Sequence, residues 1–150
     1  MINIAIIDDD KTFCDDFKEQ IKKIDNSYNT DCYYDINTFL ESVSSYNIAI
    51  IDIMLGKDNG IDIASAITEK YPNIKIIFIS VEQDFFQDVY SVNHLYFLVK
   101  PISNEQLKQA LSVCCSEINK QTLYTKLGSG TTAINLNDVS YFEGILKKTI

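Results

Sequence analysis

The chain contains no arginine; all 13 of its basic residues are lysine. It has one histidine, His94, and its four cysteines (Cys14, Cys32, Cys114 and Cys115) form no Cys-x-x-Cys pair. That shortage of paired soft ligands argues against a zinc site. Adjacent Cys114 and Cys115 read as reduced helix residues and not as a bridge, which suits a cytosolic protein. No apolar run is long enough to span a bilayer, so no membrane partner is expected. No N-terminal segment has the charged-then-apolar form of a signal peptide, because acids arrive at Asp8. No internal repeat and no low-complexity tract interrupts the chain.

What is present fits one globular domain with room for a fragment of another: 150 residues, 46% hydrophobic and 23% charged. The net charge of −8 is unevenly spread. Residues 1–122 hold 10 lysines against 19 acids, a net of −9, whereas residues 123–150 carry a net of +1. An acidic body of this kind does not itself bind nucleic acid or an anionic membrane, but it can concentrate a cation.

Five apolar runs read as buried strands. They are Ile2–Ile7, the weaker and edge-ward Asp31–Tyr34, Ile48–Ile51, Lys75–Ser80 and Leu95–Val99. Five helices alternate with them. Phe13, Cys14, Phe17, Ile21 and Ile24 share one helical face, with the acids after the first strand favouring its N-terminus. Thr38 to Val43 suggests a short second helix with Phe39, Leu40 and Val43 inward. Gly56–Gly60 is a turn by composition. Ile61, Ala64, Ile67 and Tyr71 mark a third helix stopped by Pro72. Phe85, Phe86, Val89 and Tyr90 suggest a short fourth. Ser103-Asn104-Glu105-Gln106 matches a capping box for a fifth, carrying Leu107, Ala110, Leu111, Cys114 and Ile118.

Such alternation predicts an α/β domain with a parallel sheet, and right-handed crossovers put every strand's C-terminal end on one edge. Polar residues stand at those ends: Asp8 and Asp9, Asp52, Ser80 and Lys100. Any one of them alone reads as a solvated loop residue or a helix cap. Together they form a pattern with chemistry. Converging carboxylates repel unless protons or a cation neutralise them. Few carboxylates with room for water suit Mg²⁺ better than a full Ca²⁺ cage. Aspartate is a competent phosphoryl acceptor, and a transferring phosphoryl group needs positive charge and donors around its oxygens. Lys100 supplies the charge and the Ser80 hydroxyl a donor.

On these residues the chain resembles the receiver domains of two-component response regulators. The matching stretches are Ile6-Ile7-Asp8-Asp9-Asp10, Ile51-Asp52-Ile53-Met54-Leu55 with Gly60, Ile79-Ser80, and Phe97-Leu98-Val99-Lys100-Pro101. They cover roughly residues 1–120. The resemblance implies a flavodoxin-like (βα)5 fold, strand order 2-1-3-4-5, in a receiver of residues 1–122. It implies that Asp52 accepts phosphate from a histidine kinase. Asp9, Asp52 and the Met54 backbone carbonyl would bind Mg²⁺, with Asp8 acting mainly through water. Ser80 and Lys100 would hold the phosphoryl oxygens, and the Lys100-Pro101 peptide is usually cis. Ser80 and Phe97 would be the switch residues. The face of the fourth helix, fifth strand and fifth helix would be the homodimer or output surface, near Tyr90, Tyr96 and His94. His94 itself reads as a surface loop residue. The chain departs from many receivers in having Leu55-Gly56 where Met-Pro is common. Met54 and Glu82, each two residues past Asp52 and Ser80, occupy positions that influence phosphoryl lifetime. An apolar Met54 would not orient an attacking water, which implies a phosphoryl state outlasting a few seconds.

Residues 123–150 differ in character. Leu123–Leu127, Gly128-Ser129-Gly130 and Thr131–Asn135 read as a hairpin, and Asn137–Gly144 as a turn and strand. Asp138-Val139-Ser140-Tyr141-Phe142-Glu143 resembles the opening of the LytTR DNA-binding domain. Only its N-terminal fragment is present, a short β-rich piece with unpaired edges. DNA binding would need a complete C-terminal domain, so this chain by itself is not expected to bind DNA specifically. The expected role is thus a cytoplasmic, non-enzymatic signalling receiver. Two alternatives stand beside it. An aspartyl-nucleophile phosphatase of the haloacid-dehalogenase type wants a second acid two residues after the nucleophile, where Met54 stands. A pseudo-receiver acting only through protein contacts would not need intact Asp8, Asp9, Asp52, Ser80 and Lys100.

Overall fold

The computed structural model describes residues 1–84 and 87–128, with side chains to residue 123. Seven strands and four helices follow in order: β1 (Asn3–Ile7), α1 (Lys11–Ile24), β2 (Asn29–Tyr33), α2 (Ile36–Leu40), β3 (Ile48–Asp52), β4 (Met54–Leu55), β5 (Asp58–Asn59), α3 (Gly60–Lys70), β6 (Lys75–Ser80), β7 (Tyr96–Val99) and α4 (Asn104–Gly128). Five strands form one sheet, ordered β2-β1-β3-β6-β7 and parallel throughout. Counting only these sheet strands, that is the 2-1-3-4-5 order expected, with β2 at an edge. The fold is flavodoxin-like.

Every residue of β3 is buried, as a central parallel strand covered on both faces must be. Alternate side chains serve opposite faces. Ala5, Ile7, Ala49, Ile51, Ile76 and Phe78 pack with Phe39 of α2 and Ile61, Ala64 and Ile67 of α3. Ile4, Ile6, Ile50 and Ile77 are fully buried outside that cluster, as are Cys14, Phe17 and Ile21 of α1 and Leu107, Ala110 and Cys114 of α4. The β-branched strands thus fix a layer that helices cover on both sides.

Local chemistry sets the helix ends. Asp10, not the acids before it, caps α1, its side chain accepting from Phe13 N at 3.0 Å. No acid lies in the first turn of α1, so Asp8 and Asp9 are left for other work. Asn59 caps α3 by accepting from Ile61 N at 2.8 Å. The expected capping box forms at α4: Gln106 N donates to Ser103 Oγ at 3.2 Å and Ser103 N donates to Gln106 Oε1 at 3.1 Å.

Four expectations are corrected. The second helix is Ile36–Leu40, shifted toward its Asp35 cap, followed by a separate 3-10 turn, Val43–Ser45. Phe39 and Val43 are buried, but Leu40 is 47% exposed, because adjacent helical residues point about 100° apart. The Gly56–Gly60 turn contains a small antiparallel hairpin, Met54 opposite Asn59 and Leu55 opposite Asp58. Gly56, at φ 60°, takes the first central position, where a tight hairpin turn needs a positive φ. The described part of the expected fourth helix is one 3-10 turn, Asp88–Ser91; Phe85 and Phe86 lie outside the described residues. Within that turn Val89 is the buried residue, and Tyr90 is exposed. Finally, Leu123–Leu127 is helical and not a strand, since α4 runs to Gly128. Extending an existing helix through leucine and lysine is easier than pairing an isolated strand. The remainder of the expected hairpin and strand, residues 129–150, lies outside the described residues.

Two compact units are distinguished, Met1–Cys115 and Ser116–Ile150. The expected boundary after Thr122 falls inside α4. Among the described residues, no helix is long and apolar enough to cross a membrane.

Gly60 joins α3 to the central strand. Its N–H donates to Ile53 O at 2.7 Å, and a Cβ there would lie 2.2 Å from Asp52 O and 2.9 Å from Ile53 Cα. Backbone cannot yield as a flexible side chain can. Gly60→Ala should therefore destabilise the fold by about 2–4 kcal/mol, read as a lower urea midpoint with unchanged slope; an unaltered midpoint would contradict this packing.

Candidate functional site

Parallel topology brings the polar strand ends to one edge. β1 stops at Ile7 with Asp8 and Asp9 next, β3 ends on Asp52, β6 ends on Ser80, and Lys100 follows β7. Asp8 and Ser80 are fully buried, Asp52 is 7% exposed, and Asp9 is exposed.

Lys100 joins the two buried acids. Its Nζ lies 2.6 Å from Asp8 Oδ2 and 3.1 Å from Asp52 Oδ2. The other oxygen of each acid is held by its own loop. Asp8 Oδ1 accepts from Asp10 N at 2.9 Å, and Asp52 Oδ1 accepts from Met54 N at 3.0 Å. Cys14 Sγ lies 3.3 Å from Asp8 O, so α1 also supports the Asp8 backbone. The Lys100-Pro101 peptide is cis, as expected. The Lys100 N–H donates to Ser80 O at 2.8 Å, tying the ends of β6 and β7 together.

Burial pushes the Asp52 carboxyl up to about 6; the Asp8 charge adds to the rise, and the Met54 N–H and Lys100 oppose it. For Lys100, burial disfavours the charge, but its bond to Asp8 and the Asp52 charge outweigh this and hold its pKa above the usual value.

One carboxylate oxygen from each of Asp8, Asp9 and Asp52 falls within 4.8 Å of the others. Three hard oxygen donors so close, one of them solvent-facing, fit a small divalent cation that retains water. Gly56 lies beside this cluster; a Cβ there would be 3.7 Å from Asp9 Oδ2.

The other candidates are placed as follows. Ser80 Oγ accepts from Glu82 N at 3.1 Å. The Met54 side chain is 49% exposed. Phe97 stands opposite Phe78 in the sheet, half-buried against the core cluster. His94 is not a plain surface residue: it is half-buried, its Nδ1 2.9 Å from Val92 O and its ring 5.4 Å from Phe78. An imidazole has enough apolar ring to stack on an aromatic neighbour. Sequence reasoning assigned no site role to Phe13, whose ring centroid lies 4.0 Å from Lys100 Nζ. Its only signal was adjacency to Cys14, since both cannot face the centre of one helical stripe.

Comparison with known proteins agrees with this architecture. A family model described as the response regulator receiver domain matches residues 4–112. The chain is 26% identical over 114 residues to the Sensory transduction protein LytT of Bacillus cereus, an alignment covering 74% of this chain and 46% of that protein. The LytT of Bacillus anthracis is 25% identical with the same coverage. The chain thus spans less than half the length of these curated relatives. A CheY-like receiver domain from Methanospirillum hungatei superposes with a TM-score of 0.71 at 21% identity, covering 81% of this chain and 98% of that one. The TrrA response regulator of Thermotoga maritima, solved in complex with Mg(2+)-BeF, gives 0.69 at 23% identity, covering 76% and 99%. At these identities the solved structures establish the fold.

The raised Asp52 pKa makes a signed prediction. The folded state holds the Asp52 proton more tightly than the unfolded chain does, so stability falls as pH rises from about 4 to about 6. Without divalent metal, Asp52→Asn should be more stable than the parent by about 2–3 kcal/mol at pH 7.5, and the gap should close by pH 4. Thermal unfolding at both pH values checks this; a gap independent of pH would contradict it.

Proposed function

The chain belongs to the response regulator receiver domain family, and from that premise we propose that Asp52 accepts a phosphoryl group from a sensor histidine kinase in the presence of Mg²⁺. One observation carries the reading: a lysine ammonium shared by two buried carboxylates, with a third carboxylate within 4.8 Å. A receiver is a signalling domain of a two-component system, and its chemistry here would end with phosphoryl transfer to its own side chain.

Each residue has a role in this reading. Asp9, Asp52 and the Met54 carbonyl would hold the metal, with Asp8 assisting through water. Bound there, Mg²⁺ would neutralise the acidic cluster and draw the donor's phosphoryl group toward Asp52. The Met54 N–H on Oδ1 fixes the rotation of the Asp52 carboxylate, which then attacks phosphorus. The donor leaves with the bonding electron pair. Lys100, already beside Oδ2, would turn one N–H to a phosphoryl oxygen. Ser80 Oγ would leave the Glu82 amide and donate to another.

Signalling would follow from the same move. The shift of Ser80 would let Phe97 turn inward, changing the face formed by the Asp88–Ser91 turn, β7 and α4. That face would then dimerise or engage an output domain. The receiver would occupy residues 1–122. Residues 123–150 would begin a LytTR-type module, whose completed form would bind DNA and regulate transcription in the cytoplasm.

Incubation with acetyl phosphate and Mg²⁺ should give a single phosphoryl adduct by intact mass. Asp52→Ala or chelation of the metal should abolish it. After removal of the donor, the adduct should persist beyond a few seconds, because the apolar Met54 side chain does not orient an attacking water. No adduct under any metal condition would reject phosphorylation in favour of a receiver acting through contacts alone.

A further inference from the structure

The Lys100 ammonium has three N–H donors. Two point to carboxylates, at 2.6 Å from Asp8 and 3.1 Å from Asp52. The Phe13 ring also lies against the ammonium, its centroid 4.0 Å from Nζ. An aromatic face attracts a cation within about 6 Å, most strongly where water is excluded. The Lys100 side chain is 14% exposed, so this attraction is little screened.

The ring itself is held. Phe17, 1% exposed, stacks on Phe13 with centroids 5.0 Å apart and planes inclined 23°. The Phe13 N–H is tied to the Asp10 cap at 3.0 Å. Phe13 and Lys100 together line a groove of about 400 Å³ between α1 and the Pro101-Ile102 turn. The ring thus forms a wall of this groove directly against the ammonium.

We propose that Phe13 is a positioning residue that holds the Lys100 ammonium at the acidic site through its ring face. The proposal rests on reading Asp52 as the phosphoryl acceptor. In that reaction Lys100 must exchange a carboxylate contact for a phosphoryl oxygen. A hydrogen bond to a fixed acceptor would have to break during the exchange. Attraction to a ring face depends weakly on which way each N–H points, so it persists while the bonds rearrange. Phe13 thereby keeps the lysine within reach without locking it in its resting geometry.

The test replaces Phe13 with phenylalanine carrying one, two or three ring fluorines, which keep its shape while withdrawing charge from the ring face. With acetyl phosphate and Mg²⁺, the rate of adduct formation should fall stepwise, by about three- to tenfold at three fluorines. Phe13→Tyr should preserve the rate. A second measurement needs no phosphorylation. The thermal midpoint should fall along the same series in the otherwise native chain. It should stay flat in a Lys100→Met, Asp52→Asn background, where the ammonium is absent and one carboxylate charge has been removed with it. A flat midpoint series in the native chain, or equal slopes in both backgrounds, would overturn the proposal, because a purely packing role responds to shape and not to ring charge. A flat rate series beside a sloping midpoint series would overturn the role in transfer. If the unmodified protein takes no phosphoryl group, the Asp52 reading fails, while the midpoint series still decides whether Phe13 holds Lys100.

Discussion

A single ammonium between two buried carboxylates is the constraint on which the rest of this molecule depends. Parallel connections deliver Asp8, Asp9 and Asp52 to one edge, two of them almost without solvent. Left alone, such acids would repel each other and resist burial. Lys100 reaches Asp8 and Asp52 together, and the residual strain appears in the raised Asp52 pKa. The network is therefore incompletely compensated. It is stable enough to fold around, yet it favours any added positive charge that can enter beside Asp9.

Backbone groups make that network directional. Asp8 and Asp52 are oriented alike, with one oxygen on a loop amide two residues ahead and the other on Lys100. The loop after Asp52 can serve this purpose because Gly60 lets α3 start against the Asp52–Ile53 backbone. The small hairpin of β4 and β5 takes up the intervening residues. Asp9 receives no such restraint among the described residues. It remains solvent-facing, which is the condition for a ligand that must admit a hydrated cation.

Much of this was legible because it is local or follows from one topological rule. Buried strands announce themselves as apolar runs, and parallel crossovers leave their ends no choice of edge. Hence Asp8, Asp9, Asp52, Ser80 and Lys100 group together from the sequence alone. The α4 capping box was equally readable, since four consecutive residues contain all of its chemistry. Illegible features depend on packing and on neighbouring elements that an apolar pattern does not record. Leu40 lies outward because its neighbour Phe39, about 100° round the helix, takes the inward side. Leu123–Leu127 has strand-like composition, but the helix preceding it removes the cost of nucleation. Phe13 looked like core because apolar spacing cannot distinguish a ring packed in a core from one presented to a lysine 87 residues away.

In the proposed reaction, the two residues assigned to the phosphoryl oxygens, Ser80 and Lys100, are mechanically joined. Ser80 pairs with Val99, and the Lys100 N–H donates to Ser80 O. A movement of one strand end therefore displaces the peptide that carries the other. Their side chains are restrained unequally. The Ser80 hydroxyl has one amide, Glu82 N, at 3.1 Å, whereas Lys100 has two carboxylates and an aromatic face. Exchanging one neutral hydrogen bond for one to an anion favours the new partner, since a charge-assisted bond is the stronger. Lys100 would keep most of its contacts through the same event. Within the proposed switch, the serine is the part free to move and the lysine the fixed point against which it moves. Phe97, half-buried against the core cluster, would be the aromatic partner of that movement in the proposed switch.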